Sequence, residues 1–102
     1  MNAVMAVFTV TGDTARLLDA YDRAITELQA AADEIGAPVA HVCTPTDDGI
    51  RIVDVWESAE ALRSFSEHPR FRSIIHEAGL PDPDAVEVSP VQALGWPMHA
   101  AV

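Results

Sequence analysis

The chain has a single cysteine, Cys43, so no disulfide can form within it. A lone thiol fits a reducing compartment, and the cytoplasm is the expected location. Basic residues are scarce: six Lys and Arg stand against 16 Asp and Glu, for a net charge of −10. Nucleic acids and anionic membranes call for a basic surface, so neither is an expected partner. No apolar run approaches the roughly 20 residues of a membrane span. No basic stretch precedes an apolar one at the N-terminus, so no signal peptide is expected. There is no internal repeat and no low-complexity segment. With 102 residues the chain suits one domain, and 49% hydrophobic residues make it globular. A chain this size buries roughly 60–68% of its unfolded surface, so a lone monomer is only modestly stable.

What is present centres on Gly49 to Phe65, G-I-R-I-V-D-V-W-E-S-A-E-A-L-R-S-F. Ile50 to Trp56 has no Gly or Pro and is rich in Ile and Val, which predicts a central strand. Alternation puts Ile50, Ile52, Asp54 and Trp56 on one face and Arg51, Val53 and Val55 on the other. Both faces are mostly apolar, so both are expected to be covered. Ser58 is the N-cap of a helix whose first turn holds Glu60. Ala59, Leu62 and Phe65 form its apolar stripe.

Around this unit the rest falls into order. Ala3 to Val10 is apolar on both faces and reads as a second central strand. Asp13 caps one long helix over Thr14 to Ile35, with Leu17, Leu18, Tyr21, Ile25, Leu28, Ala32 and Ile35 as its buried stripe. Asp13, Asp19, Asp22, Glu27, Asp33 and Glu34 read as a solvated acidic set. Gly36 and Pro38 stop this helix. Val39 to Thr44 is a short edge strand. Pro45-Thr-Asp-Asp-Gly49 is a hairpin turn in which Gly49 is able to take positive φ. Pro69 opens a last helix, with Phe71, Ile74, Ile75 and Ala78 buried and Gly79 at its end. Ala85 to Leu94 is the last strand, and Pro90 within it suggests an edge or a bulge.

The order β-α-β-β-α-β predicts an α+β fold with a ferredoxin-like antiparallel sheet and helices on one face. Residues 1–95 form the domain and 96–102 a C-terminal tail that contains His99. The uncovered sheet face keeps apolar residues from the two central strands. A second copy packed on that face, giving a dimeric α+β barrel, is the simplest cover.

This pattern resembles the dimeric α+β barrel proteins of the antibiotic-biosynthesis-monooxygenase type. The resemblance spans about residues 3 to 94 and is sharpest in V-W-E-S-A-E-A and H-P-R-F. Among quinone-forming members, a Trp at the strand-end W-E-S is an active-site residue, and Trp56 matches it. An Asn four residues before that Trp is Ile52 here, a Tyr six residues after it is Leu62, and an Arg in the last helix aligns with Ile75. Heme-degrading members use an Asn, a Trp and a His. Those positions fall near Phe8, on Phe65, and on or beside Ile75, with His76 one residue away. Heme is therefore not expected, nor is any other cofactor. The resemblance implies a substrate-binding set of Trp56, Ile52, Phe65, Leu62 and Ile75.

The residues themselves offer proton chemistry. Asp54 shares the Trp56 face, where desolvation would suit a general base. His41 on the second strand and His76 on the last helix are its candidate partners. The alternative for Asp54 is an ion pair with Arg51, Arg63 or a histidine, and for Trp56 a core role sealing sheet to helix. Cys43 reads as a small buried hydrophobe, and His68 as a helix-boundary residue. No spacing suggests a metal site. Three functions stay open. One is a homodimer binding a small apolar or aromatic molecule, with cofactor-independent oxygenase or polyketide-tailoring activity. The second is a non-catalytic binding or interaction domain. The third is an isomerase or cyclase using Asp54 and a histidine.

Overall fold

The structure is a computed structural model, and it describes residues 2–95. The tail over 96–102, His99 included, lies outside the described residues. The chain folds as β1 (Val4–Thr11), α1 (Thr14–Ala30), α2 (Ala32–Ile35), β2 (Ala40–Thr46), β3 (Gly49–Trp56), α3 (Ala59–Glu67), α4 (Pro69–Ala78) and β4 (Ala85–Pro90). The sheet order is β2-β3-β1-β4 with every pair antiparallel. This is the expected α+β ferredoxin-like sheet, with β1 and β3 central.

Register fixes which residues share a face. Ala6 pairs with Asp54, Phe8 with Ile52 and Val10 with Ile50. On the other side of β3, His41 pairs with Asp54 and Cys43 with Ile52. Paired residues point the same way, so this whole set looks toward the helices. α1 packs on β2, β3 and α4, and α3 packs on β3 and α4. The opposite face carries Met5, Val7, Val53, Val55 and Val42, and Val42 is 55% exposed.

The caps follow the sequence. The Asp13 side chain accepts from the Arg16 amide, and the Ser58 hydroxyl accepts from the Ala61 amide. Pro69 opens α4 behind His68, whose Nδ1 accepts from the Arg70 amide. Gly79 closes α4 in the left-handed conformation.

Three expectations change. The helix over Thr14–Ile35 breaks at Ala31, where φ −96° and ψ 5° leave helical geometry. The Ala31 amide is shared between the Glu27 and Leu28 carbonyls, the tightening common at a helix end. The break lets Ala31 and Ile35 both enter the core beside Ala24. The last strand stops at Pro90, opposite Val4 at the start of β1, and the Val91 N–H still bonds the Ala3 carbonyl beyond it. Gly49 does not take positive φ; the turn is Asp47-Asp48 alone, and Gly49 is the first residue of β3. Glycine is needed there because a Cβ would lie 1.9 Å from the Val10 carbonyl oxygen.

The core is in two parts. Val10, Leu17 and Ile50 form one cluster, against one end of the sheet. Ala24, Ala31, Ile35, Ile74 and Ala78 form the other, between helices. Phe65, Phe71 and Ile75 pack against the second, and Leu80 against both. Among the described residues, no helix is long and apolar enough to cross a membrane.

Candidate functional site

Between the two core clusters lies a cavity of about 440 Å³. Ile52, Phe8 and Val10 from the sheet form its floor, and Phe65, Phe71 and Ile75 from α3 and α4 form much of its wall. Its volume is in the range that holds a small molecule, and its lining is mostly apolar.

One wall is polar and ordered. His41 on β2 and Asp54 on β3 are direct cross-strand neighbours, and His41 Nδ1 lies 2.5 Å from Asp54 Oδ1. Tyr21 comes down from α1, and its hydroxyl lies 2.5 Å from His41 Nε2. The Tyr21 and His41 ring planes are parallel within 4°. All three residues line the cavity.

Chemistry assigns the protons. An ionised carboxylate only accepts, so His41 Nδ1 donates to Asp54. In the neutral imidazole, Nε2 is then the acceptor, and the Tyr21 O–H donates to it. Burial first, then the nearby Cys43, Asp54 and Asp22, push the Tyr21 phenol up to about 12. Tyr21 is therefore a neutral O–H at ordinary pH. The Cys43 thiol is pushed up by burial and by Asp22, so it stays protonated and acts as a small apolar group. Asp54 is 8% exposed, the one buried charged residue of the described chain. Its partner is a histidine, one of the options open to it.

The sequence-derived candidates separate here. His41 and Asp54 meet. His76 does not join them: it lies on α4 at a different, shallower hollow. Ile52, Phe65 and Ile75 line the cavity, whereas Trp56 and Leu62 do not. Trp56 is 2% exposed and packs on Phe65 with ring centroids 4.7 Å apart. Phe65 in turn packs on Phe71 at 4.6 Å. The phenylalanines thus take the wall position expected of the tryptophan, and Trp56 seals sheet to helix behind them. Its indole N–H is buried without a partner among the described residues. Tyr21 is the residue that pattern reading missed, because it sits in the α1 apolar stripe. Its one signal was a hydroxyl amid aliphatic neighbours, which needs a partner when buried.

No family model matches the chain, and no curated protein matches it. Solved structures do. A protein of Chloroflexus aurantiacus, named a candidate antibiotic biosynthesis monooxygenase, superposes with TM-score 0.62 at 18% identity, over 92% of this chain and 98% of that one. SnoaB of Streptomyces nogalater, a cofactor-independent oxygenase, gives 0.59 at 18% identity over 95% and 98%. A dimeric ferredoxin-like protein of unknown function from Jannaschia gives 0.55 at 12% identity over 89% and 98%. The chain has the antibiotic-biosynthesis-monooxygenase fold. At these identities the likeness concerns the fold, and the chemistry has to come from the site. In this fold the chain places its polar wall on β2, β3 and α1. Among the described residues, no three His, Cys, Asp or Glu side chains gather as a metal site.

Proposed function

We propose that the protein binds a small, flat, largely apolar molecule in the cavity and moves a proton on it. His41 is the base, Asp54 holds its tautomer, and Tyr21 carries the proton between the ligand and His41 Nε2. The observation that carries this reading is the Tyr21–His41–Asp54 chain on the wall of an otherwise apolar cavity. A proton leaving an acidic C–H or O–H passes to the Tyr21 oxygen as the Tyr21 O–H proton moves to His41 Nε2, and the imidazolium that forms is stabilised by the adjacent carboxylate. Isomerisation follows if the proton returns at another atom, and cyclisation if the carbanion attacks a carbonyl carbon of the same molecule and the proton goes to that carbonyl's oxygen.

An oxygenase reading shares that first step and is favoured by the likeness to SnoaB. Proton removal from an aromatic methylene gives a carbanion, and dioxygen is its oxidant. The carbon becomes a carbonyl that keeps one oxygen atom, and the other leaves as water. No cofactor is required in either reading.

The protein works as a homodimer in this proposal. The outer sheet face, with Met5, Val7, Val42, Val53 and Val55, is apolar enough to pair with a second copy, and the Jannaschia relative in fold is dimeric. A reducing cytoplasm suits the free Cys43.

The test is hydrogen–deuterium exchange at the acidic C–H of 2-tetralone in D₂O, followed by proton NMR. Wild-type protein should accelerate exchange over buffer. His41→Ala and Asp54→Asn should each lose it by a factor of about 10²–10⁴. Oxygen uptake with an anthrone under the same conditions separates the oxygenase outcome. A wild-type rate equal to that of His41→Ala would sink the proton-transfer reading.

A further inference from the structure

Beside the cavity is a second, shallower hollow of about 380 Å³. Ser66, Phe71, Ile75, Leu80 and Asp82 border both spaces, so the two adjoin. Their chemistry differs. The inner cavity has no Lys or Arg among its lining residues. The outer hollow adds Arg72 and His76, four positions apart on α4 and therefore on one helix face. Both are exposed. Arg23 and Arg70 are engaged elsewhere, on the Ala78 carbonyl and on Glu34. Arg72 has no carboxylate within ion-pair distance among the described residues.

Arg16, Arg51 and Arg63 likewise stand outside the ion pairs of the described residues, and what distinguishes Arg72 is its place on the hollow that adjoins the cavity. At the edge of an apolar cavity its guanidinium is placed to select an anion. We propose that the outer hollow binds the carboxylate of an amphipathic ligand whose apolar body fills the inner cavity, with Arg72 as its charged partner. This rests on the cavity being the binding site. The guanidinium fork matches a carboxylate through two parallel N–H bonds. His76 supplies a further N–H donor in either charge state. The net charge of −10 opposes any anion at range. That repulsion is screened beyond about 8 Å in physiological salt, so the preference is set at contact. Asp82 borders the same hollow and works against the anion.

The experiment compares 2-naphthoate with its neutral isostere 2-naphthamide by calorimetry, on wild type, Arg72→Gln and Asp82→Asn. Both positions are exposed, so folding is not at stake. Wild type should bind the carboxylate roughly three- to tenfold more tightly than the amide, the range of a charge-assisted pair at a solvent-exposed rim. Arg72→Gln should remove that preference and leave the amide unchanged. Asp82→Asn should widen it. Equal binding of both ligands to wild type would overturn the carboxylate site while leaving the cavity reading intact. So would an equal loss of both ligands in Arg72→Gln. Binding of neither ligand to wild type would overturn both.

Discussion

Ile50 and Ile52 are the same residue, two positions apart on β3, facing the same way. Ile50 is 0% exposed and packed between Val10 and Leu17. Ile52 is half-buried and forms the floor of the cavity. Strand alternation gives both a place under the helices, but it does not say whether the space above is filled. That is decided by α1. Over Ile50 it offers Leu17, and farther along it offers Ala24, with Tyr21 at the cavity wall. A small side chain leaves room where a leucine does not, and the room falls next to Asp54, the one buried charge among the described residues. One half of the sheet face is core and the other floors a cavity.

The comparison can be broken most severely at the first residue of β3. Gly49→Ala puts a Cβ against the Val10 carbonyl, which is backbone and cannot swing away. We expect a loss of more than about 4 kcal/mol, or no folded protein, by urea denaturation. The Ile pair itself comes next. Ile50→Ala should cost about 2–5 kcal/mol, as expected for a buried aliphatic side chain in a tight core. Ile52→Ala should cost only about 1 kcal/mol, because its cavity side already lacks packing partners. Equal costs would mean that the two halves are packed alike.

The outer face provides a control without a cavity. Val42→Asp puts a charge on the apolar face proposed to meet the second copy. Burying a valine is worth roughly 1.5–3 kcal/mol, so dimer dissociation should rise more than tenfold by sedimentation equilibrium. Wild type should sediment near twice 11.0 kDa.

The smallest effect concerns the single tyrosine, whose phenolate absorbance near 295 nm reports Tyr21 without interference. Its midpoint should lie near 12 in the folded protein, and near 10 when unfolded. A raised folded value favours the phenol. Its contribution to stability is therefore complete below pH 10 and is lost as pH rises toward 12. Asp54→Asn removes one of the charges that raise it and should lower the midpoint.

Much of this was legible in the chain. Asp13, Ser58, Pro69 and Gly79 mark helix ends by local chemistry, and they sit where such residues are used. The two-faced apolar pattern of β1 and β3 placed them at the sheet centre. What stayed hidden depends on contacts between distant segments. The break at Ala31 has no Gly or Pro to announce it, and its cause is core packing. Gly49 looks like a turn glycine, and only the approach of Val10 reveals its role. His41 was one of two histidines offered to Asp54, and the hairpin register that decides between them was left open by the expected turn length. Tyr21 resembles any member of an apolar stripe until His41 is across from it. Trp56 was drawn toward the cavity by its place at a strand end, and Phe65 lies in the way.

The central claim is that His41 is held as a base, with its proton on Nδ1 toward Asp54 and Nε2 open to Tyr21. The ¹⁵N chemical shifts of His41, at a pH where the imidazole is neutral, test it directly. The account predicts a protonated Nδ1 and an unprotonated Nε2 in wild type, and a loss of that preference in Asp54→Asn. A neutral ring with its proton on Nε2, unchanged by Asp54→Asn, would contradict it.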